Sequence, residues 1–467
     1  MPYDRQSAGK GGHSDIVKNP DVDKFLSGCD YIKEPTDEEG EAIASEFIQA
    51  PDPVSLPEHT VASDASLYLE PVNDRYPSTQ IGYIKLSMSL VDMNDYNGLA
   101  NPNTGLVNPF KVAKLHRNAS GIAFTLPGSN VRYGGEPSVQ DGFRRAVWEQ
   151  LSDKRTQLQE SPTSAGVDHH SVADTLFHIN GGVLEVKRCP SCAFEPDDEF
   201  VIRHSDPVID CPECGRPIYG TDSLRLFEEI SDFGTNASPV NRFMNAVEHL
   251  MMANFIRRLA ENHPEVLSEM AFVIDGPLAI FGQPAWISKK LMAFYYDLAQ
   301  RLRDKGLAPP VIVGLQKQGM VMDHARAIEP FIGKNRFRII DDNYRKENIS
   351  AGSSNSPNFG DETYYGQDFI FKTDSGQVFV LAVPYPFRDK RNKKAFALKK
   401  GELKNYPDLG KALDLIRHFE FDLYESAIVP IALAHRHASI SLVPGGKVLD
   451  FITKTGLGKP KGSGKTH

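Results

Sequence analysis

The sequence is poor in cysteine, shows no large excess of basic charge and contains no long apolar run, and each scarcity excludes a class of protein. Five cysteines in 467 residues are too few for a disulfide-stapled scaffold. Four of them stand in two Cys-x-x-Cys pairs, the pattern of metal binding in a reducing compartment. No run of about 18 apolar residues occurs, which argues against a membrane span. The N-terminal MPYDRQSAGKGGHSD lacks the apolar centre of a signal peptide. The expected compartment is the cytoplasm. With 52 Lys/Arg against 61 Asp/Glu, a chain-wide basic coat of the histone kind is excluded. No internal repeat is visible.

What is present fits a globular enzyme: 40% hydrophobic residues, 24% charged and a mean hydropathy of -0.36. At roughly 150 residues per domain, the length suggests two to three domains. The net charge of -9 is unevenly spread. Residues 1–75 hold 16 Asp/Glu and 6 Lys/Arg, a balance of -10 that leaves the rest of the chain at about +1. That segment reads as an acidic appendage, with a disordered start, weak helical spacing from Asp15 to about Ala50, and a proline-rich extended stretch, APDPVSLPEH. A near-neutral body still leaves room for a local nucleic-acid groove.

The body opens with IGYIKLSMSLVDM (81–93), whose alternation predicts a strand. FKVAKLHRNASGIAFTL (110–126) predicts another strand or two, completing an antiparallel meander. Helical spacing follows from Ser138 to about Gln159 and again at 240–260. Next, AFVIDGPLAIFG (271–282) predicts an apolar strand, ISKKLMAFYYDLAQRLRDKG (287–306) a helix and PVIVGLQK (310–317) a second strand, a crossover unit that implies parallel pairing. Strands at 336–341 and within YGQDFIFKTDSGQVFVLAVPY, a helix in PDLGKALDLIRHFEFDLYE and an apolar element at 427–443 complete an α/β mixed sheet flanked by helices.

Cys189, Cys192, Cys211 and Cys214, in CPSC and CPEC pairs 18 residues apart, have the spacing of a four-cysteine zinc ribbon, here an insertion at about 185–220. Gly215 after the last cysteine suits a left-handed turn. Such sites are closed, so zinc is assigned a structural role. Arg203 and His204 within the ribbon are weak candidates for phosphate contact, and Cys29 reads as a half-buried small residue.

Asp275 interrupts an apolar strand, where an ionised carboxylate is costly unless paired or metal-bound. Glu248 sits beside the apolar stripe of helix 240–260, and by itself reads as an exposed helix residue. His435 extends the apolar run PIALAH, where a core histidine and a metal or proton-transfer group are both readings. The stretch 387–404 holds eight Lys/Arg with Phe387 and Phe396 interleaved; a phosphate-backbone contact and a solvated loop fit it equally. The terminal GSGKTH is no phosphate loop, because Lys459 replaces the first glycine and no helix follows.

Taken in order, FVIDGPLAIFG, VIVGLQK and Pro430-Ile431-Ala432-Leu433-Ala434-His435 resemble the NurA nucleases, partners of the HerA hexameric ATPase, over residues 80–445. The resemblance implies an RNase H-like fold, a homodimer, and manganese- or magnesium-dependent cleavage of DNA. It places the family's central aspartate on Asp275, its helix glutamate on Glu248, its late histidine on His435 and its tyrosine near Tyr344. The family's first-strand Asp-Gly-Ser has no counterpart in IKLSMSLVDM, and Asp92 at that strand's end is the nearby substitute. The domain expectation is an acidic appendage at 1–75, partly disordered, a nuclease domain at 76–445 containing the ribbon, and a flexible tail at 446–467. The functional expectation is a nuclease working with a HerA-like translocase in DNA end processing or anti-phage defence. An inactive scaffold coupling a motor to DNA is the alternative, and RNA is a further substrate reading.

Overall fold

The computed structural model describes residues 14–453 apart from 30–33, 100, 102–103, 105, 158–169, 351–359, 422–425, 441–448 and 450–451. The disordered start and the flexible tail expected from the sequence therefore lie largely outside the described residues.

In chain order the strands are β1 (Ile48–Gln49), β2 (His59–Asn73), β3 (Tyr76–Asp92), β4 (Ala119–Pro127), β5 (Val183–Val186), β6 (Phe200–Arg203), β7 (Val208–Asp210), β8 (Pro217–Tyr219), β9 (Met270–Asp275), β10 (Val311–Gln316), β11 (Arg336–Ile339), β12 (Gly366–Lys372) and β13 (Val378–Pro384). Nine of them form one sheet in the order β1-β11-β12-β13-β10-β9-β2-β3-β4. β2, β3 and β4 are an antiparallel meander. β9 runs parallel to β2, and β10 parallel to β9. The five strands β4-β3-β2-β9-β10 thus have the strand order and directions of an RNase H-like sheet, extended on one side by the antiparallel β13, β12 and β11.

The reason β9 reads as a continuous apolar run is its burial on both faces. Phe272 and Ile274 enter a core with Phe243, Val247, Leu250 and Met251 of the helix Ala237–Asn262. Ala271 and Val273 enter the opposite core with Leu413 and Ile416 of the helix Leu409–Phe419 and Ile431 of the helix Val429–Ala438. The sheet is thereby covered by helices on each side, as the sequence predicts.

Three expectations change. The stretch 110–126 divides into a helix, Pro109–Arg117, and strand β4. Asn108 starts the helix by accepting from the N–H groups of Phe110 and Lys111, and Pro109 supplies a preset backbone angle in its first turn. The segment 1–75 is no appendage at its far end, because β2 lies in the middle of the sheet between β9 and β3. Its extended linker is also tied down: the Val54 N–H donates to Asp414 Oδ2 at 2.6 Å and an Arg417 guanidinium nitrogen to the Pro51 carbonyl at 3.2 Å. Cys29 is exposed instead of half-buried. Among the described residues, no helix is long and apolar enough to cross a membrane.

Candidate metal centre

Strand pairing alone brings two carboxylates level. Ser63 on β2 is the register partner of Ile274 on β9, so the next residues, Asp64 and Asp275, project from adjacent parallel strands. The helix Val429–Ala438 lies against β2 and β9 and adds His435. Ligand atoms of Asp64, Asp275 and His435 all lie within 4.8 Å of one another. His435 Nδ1 is 2.8 Å from Asp64 Oδ2, and Lys317, one residue past β10, donates from Nζ to Asp275 Oδ2 at 2.7 Å. From the other face the long helix Ala237–Asn262 delivers Glu248, whose Oε1 accepts from Ser63 Oγ at 3.3 Å.

Burial and mutual repulsion show in the acidities. Desolvation, then the negative charge of Asp275 and a shared hydrogen bond with it, push the Asp64 carboxyl up to about 6. Glu248 is raised well above the usual carboxylate range, first by burial and then by the charges of Asp64 and Asp275. A site that gathers negative charge at such cost is suited to a cation. Its donor set, carboxylate oxygens with one imidazole, is that of a hard divalent ion such as magnesium or manganese. The Lys317 ammonium already supplies one positive charge to this group.

The structure separates the expected site residues. Asp275 and His435 are brought together, while Glu248 feels the charges of Asp64 and Asp275 from the other face and is buried, not an exposed helix residue. Asp92 lies elsewhere: paired in register with His59, five positions along β2 from Asp64, it caps the helix Met93–Asn97 by accepting from the Asp95 N–H at 2.9 Å. It sits 3.6 Å from His59 Nδ1. The place foreseen for Asp92 is taken by Asp64, in Asp64-Ala65-Ser66. Tyr344 is also remote. Its hydroxyl meets His324 Nε2 at 2.8 Å, its ring lies under Arg338 at 4.5 Å, and it packs in a small separate core with Ile340 and Ile349. Sequence reasoning missed Asp64 and Lys317. Asp64 carries no distinct local signal, because β2 also holds Thr60, Ser63, Ser66 and Glu70; Lys317 ends the apolar run VIVGLQK.

A second constellation lies in the cysteine insertion. β5 pairs with β6 and β7 with β8, and the sulfurs of Cys189, Cys192, Cys211 and Cys214 lie within 4.8 Å of one another. Both CxxC turns close through left-handed residues, Ala193 at φ 60° and Gly215 at φ 66°. Backbone N–H groups of Ser191 and Cys192 serve the Cys189 sulfur, and those of Glu213 and Cys214 the Cys211 sulfur. Four sulfurs so converged can hold one tetrahedral ion. The insertion is no loose lobe: Cys189 and Cys211 are part of the main core. Buried Arg144, on the helix Val139–Ser152, clamps it by donating to both oxygens of Asp222 (2.9 and 2.6 Å), to Asp141 Oδ1 (2.9 Å), to Ser191 Oγ (2.8 Å) and to the Pro217 carbonyl (2.8 Å). His204 is engaged within this region by Asp174 Oδ1 at 2.7 Å.

In the basic stretch many charges are matched internally. Arg388 pairs with Asp297, Lys393 with Asp361, and buried Lys400 with Asp342. Lys390 is buried and donates to the carbonyls of Gly360, Asp361 and Tyr364. Lys390 and Lys400 are thus buried parts of the fold, whereas the Arg388 and Lys393 pairs lie at the surface.

Fold and site together define a mixed α/β protein of RNase H-like strand order with a carboxylate and histidine cluster able to hold a metal ion and a separate four-cysteine cluster. The sequence matches no protein-family profile and no curated protein. Among solved structures, the crystal structure of the NurA nuclease from Sulfolobus solfataricus is similar at a TM-score of 0.35 and 8% identity, with 97% of each chain covered.

Proposed function

We propose that the protein is a divalent-metal-dependent deoxyribonuclease. The observation that carries this reading is the meeting of Asp64 and Asp275 on neighbouring parallel strands, with His435 beside them and Glu248 behind. Asp64, Asp275 and Glu248 would hold manganese or magnesium, which when bound supplies a Lewis acid for the phosphodiester and lowers the pKa of a hydrolytic water. Asp64 fixes the His435 ring through Nδ1. Nε2, 3.4 Å from Ser439 Oγ, is then the atom that takes or gives a proton. Lys317 orients Asp275 and offsets part of the negative charge. The four cysteines hold zinc in a structural role.

The sequence resemblance to NurA supports a wider setting: a cytoplasmic homodimer acting with a HerA-like hexameric ATPase on DNA, in end processing or anti-phage defence. The helix Pro20–Ser27, which has no buried residue, is the docking element for that motor. Deleting residues 1–28 is expected to leave cleavage intact and abolish co-purification with the ATPase; a surviving complex rejects the docking role. The inactive-scaffold alternative drew its support from a missing first-strand aspartate; Asp64, on β2 beside Asp275, supplies a carboxylate there and so favours the nuclease reading.

The test is cleavage of linear duplex and single-stranded DNA, with RNA in parallel, by wild type and Asp275→Asn in manganese and in EDTA. Manganese-dependent DNA cleavage by wild type that is lost in Asp275→Asn supports the assignment. Equal rates for the two proteins would remove the site, and preference for RNA would reassign the substrate.

A further inference from the structure

The stretch from Leu106 to Arg117 combines features that the fold does not use. Phe110 is 85% exposed, Leu106 72% and Val107 56%. An apolar side chain left in water at one position needs no explanation, but three within five residues mark a contact surface. The same stretch, LVNPFKVAKLHR, carries Lys111, Lys114, His116 and Arg117 and no acidic residue. Lys114 is held by Asp95 at 2.7 Å, while Lys111 reaches only the Gly98 carbonyl, at 2.7 Å.

This surface is joined to the carboxylate centre by two contacts. His116 Nε2 lies 3.2 Å from an Arg436 guanidinium nitrogen. Arg436 is exposed and follows His435 directly, and His435 holds Asp64. The neighbouring His437 stacks obliquely near His116, with ring centroids 6.2 Å apart. Among the described residues, His116 Nδ1 and His437 Nε2 are both buried without a hydrogen-bond partner.

Exposed aromatic and aliphatic side chains interleaved with unopposed cations are the chemistry that recognises a single-stranded nucleic acid, whose bases stack while its phosphates pair with Lys and Arg. A protein partner for the apolar residues alone would leave the cations unmatched. We infer that the helix Pro109–Arg117 with its preceding turn, together with Arg436, forms a track that guides a single DNA strand to the Asp64, Asp275 and His435 centre. Phe110 stacks on a base, and Lys111, Arg117 and Arg436 contact successive phosphates. The inference rests on the nuclease reading for its direction, and it stands on its own as a binding surface.

The test is fluorescence anisotropy of a labelled oligothymidylate of about 20 nucleotides with the full chain in EDTA, so that no cleavage intervenes. Phe110→Ala is expected to weaken binding roughly tenfold. The double variant Lys111→Glu, Arg117→Glu is expected to lower the slope of log affinity against log salt by about 1.4, two phosphates at about 0.7 each. All three positions are exposed, and circular dichroism checks that the variants remain folded. Unchanged affinity and salt slope in both variants overturn the track, as does wild type that binds no oligonucleotide. Retained affinity with a changed oligomeric mass in Phe110→Ala would instead make the surface a contact between copies of this chain. Weakened binding in the variants upholds the track even if wild type never cleaves DNA; cleavage by wild type with unaltered binding in the variants overturns it and leaves the nuclease reading standing.

Discussion

Lys317 places its Nζ 2.7 Å from Oδ2 of Asp275, which gives the carboxylate centre a built-in positive charge. Both groups are partly sheltered, with side-chain exposures of 27% and 18%. The pair therefore lessens the repulsion between Asp275 and Asp64 when no other cation is present. Lys317→Met is expected to destabilise the metal-free protein by about 1–3 kcal/mol and to enlarge the stabilisation that manganese provides. Thermal unfolding with EDTA and with manganese reads both effects; equal stabilisation in wild type and variant would show that Lys317 does not share the ion's place.

Asp64 and Asp92 make opposite predictions. Asp64→Asn keeps shape but removes a charge from the centre, and cleavage should fall by two orders of magnitude or more, about 3 kcal/mol in the barrier. Asp92→Ala removes a helix cap, so it should cost about 1 kcal/mol of stability with the cleavage rate unchanged. Rate constants together with urea midpoints for the two variants separate the roles, and a reversed pattern would restore Asp92 to the site.

The cysteine insertion is bound into the core, so its integrity should affect the whole chain. Arg144→Met leaves Asp141 and Asp222 buried with a cation removed, a loss of about 3–5 kcal/mol. Chemical denaturation followed by two probes, one sensitive to the ribbon and one to the sheet, should show a single shifted transition. Independent transitions would mean that the clamp is not part of the cooperative unit.

Acid stability has a defined sign. Burial lowers the His249 imidazole from the usual 6.5 to about 4, where its Nδ1 meets the Tyr365 hydroxyl at 2.6 Å. His324 is lowered to about 4 for the same reason. In the folded chain these rings stay neutral down to about 4, whereas unfolded they take up a proton below about 6.5. At these two rings unfolding binds protons across this window, so their contribution to stability falls as the pH drops through it, by roughly 3 kcal/mol for each ring, while the raised carboxyls of Asp64 and Glu248 contribute with the opposite sign. Urea midpoints measured between those limits should fall further, or rise less, for wild type than for His249→Asn on acidification; parallel pH profiles would remove His249 as a contributor.

Much of the architecture was legible because burial writes itself into residue order. The two-sided burial of β9 gave a continuous apolar strand, the crossover helix and β10 followed from their own periodicity, and the paired CxxC spacing located four sulfurs that the fold brings to one point. Asp275 stood out because an acid inside that strand needs a reason. Asp64 did not, since acidic residues are common in the N-terminal segment and its partners arrive from residues 248, 275 and 435, contacts that no local pattern encodes. Counting charge over 1–75 set the acids of exposed helices together with one that is buried in the sheet. The helix Pro109–Arg117 reads as a strand in the sequence because its apolar spacing is short and its start depends on the Asn108 cap. The Arg144 clamp joins residues 141, 144, 191, 217 and 222 and is likewise visible only in three dimensions.

In the proposed nuclease, Asp64, not Asp92, joins Asp275 around a catalytic divalent cation. The most direct measurement is anomalous X-ray scattering from crystals of the full chain equilibrated with manganese. The expected result is a manganese peak coordinated by carboxylate oxygens of Asp64, Asp275 and Glu248. A peak at Asp92, or a fully ordered centre with no manganese bound, would contradict it.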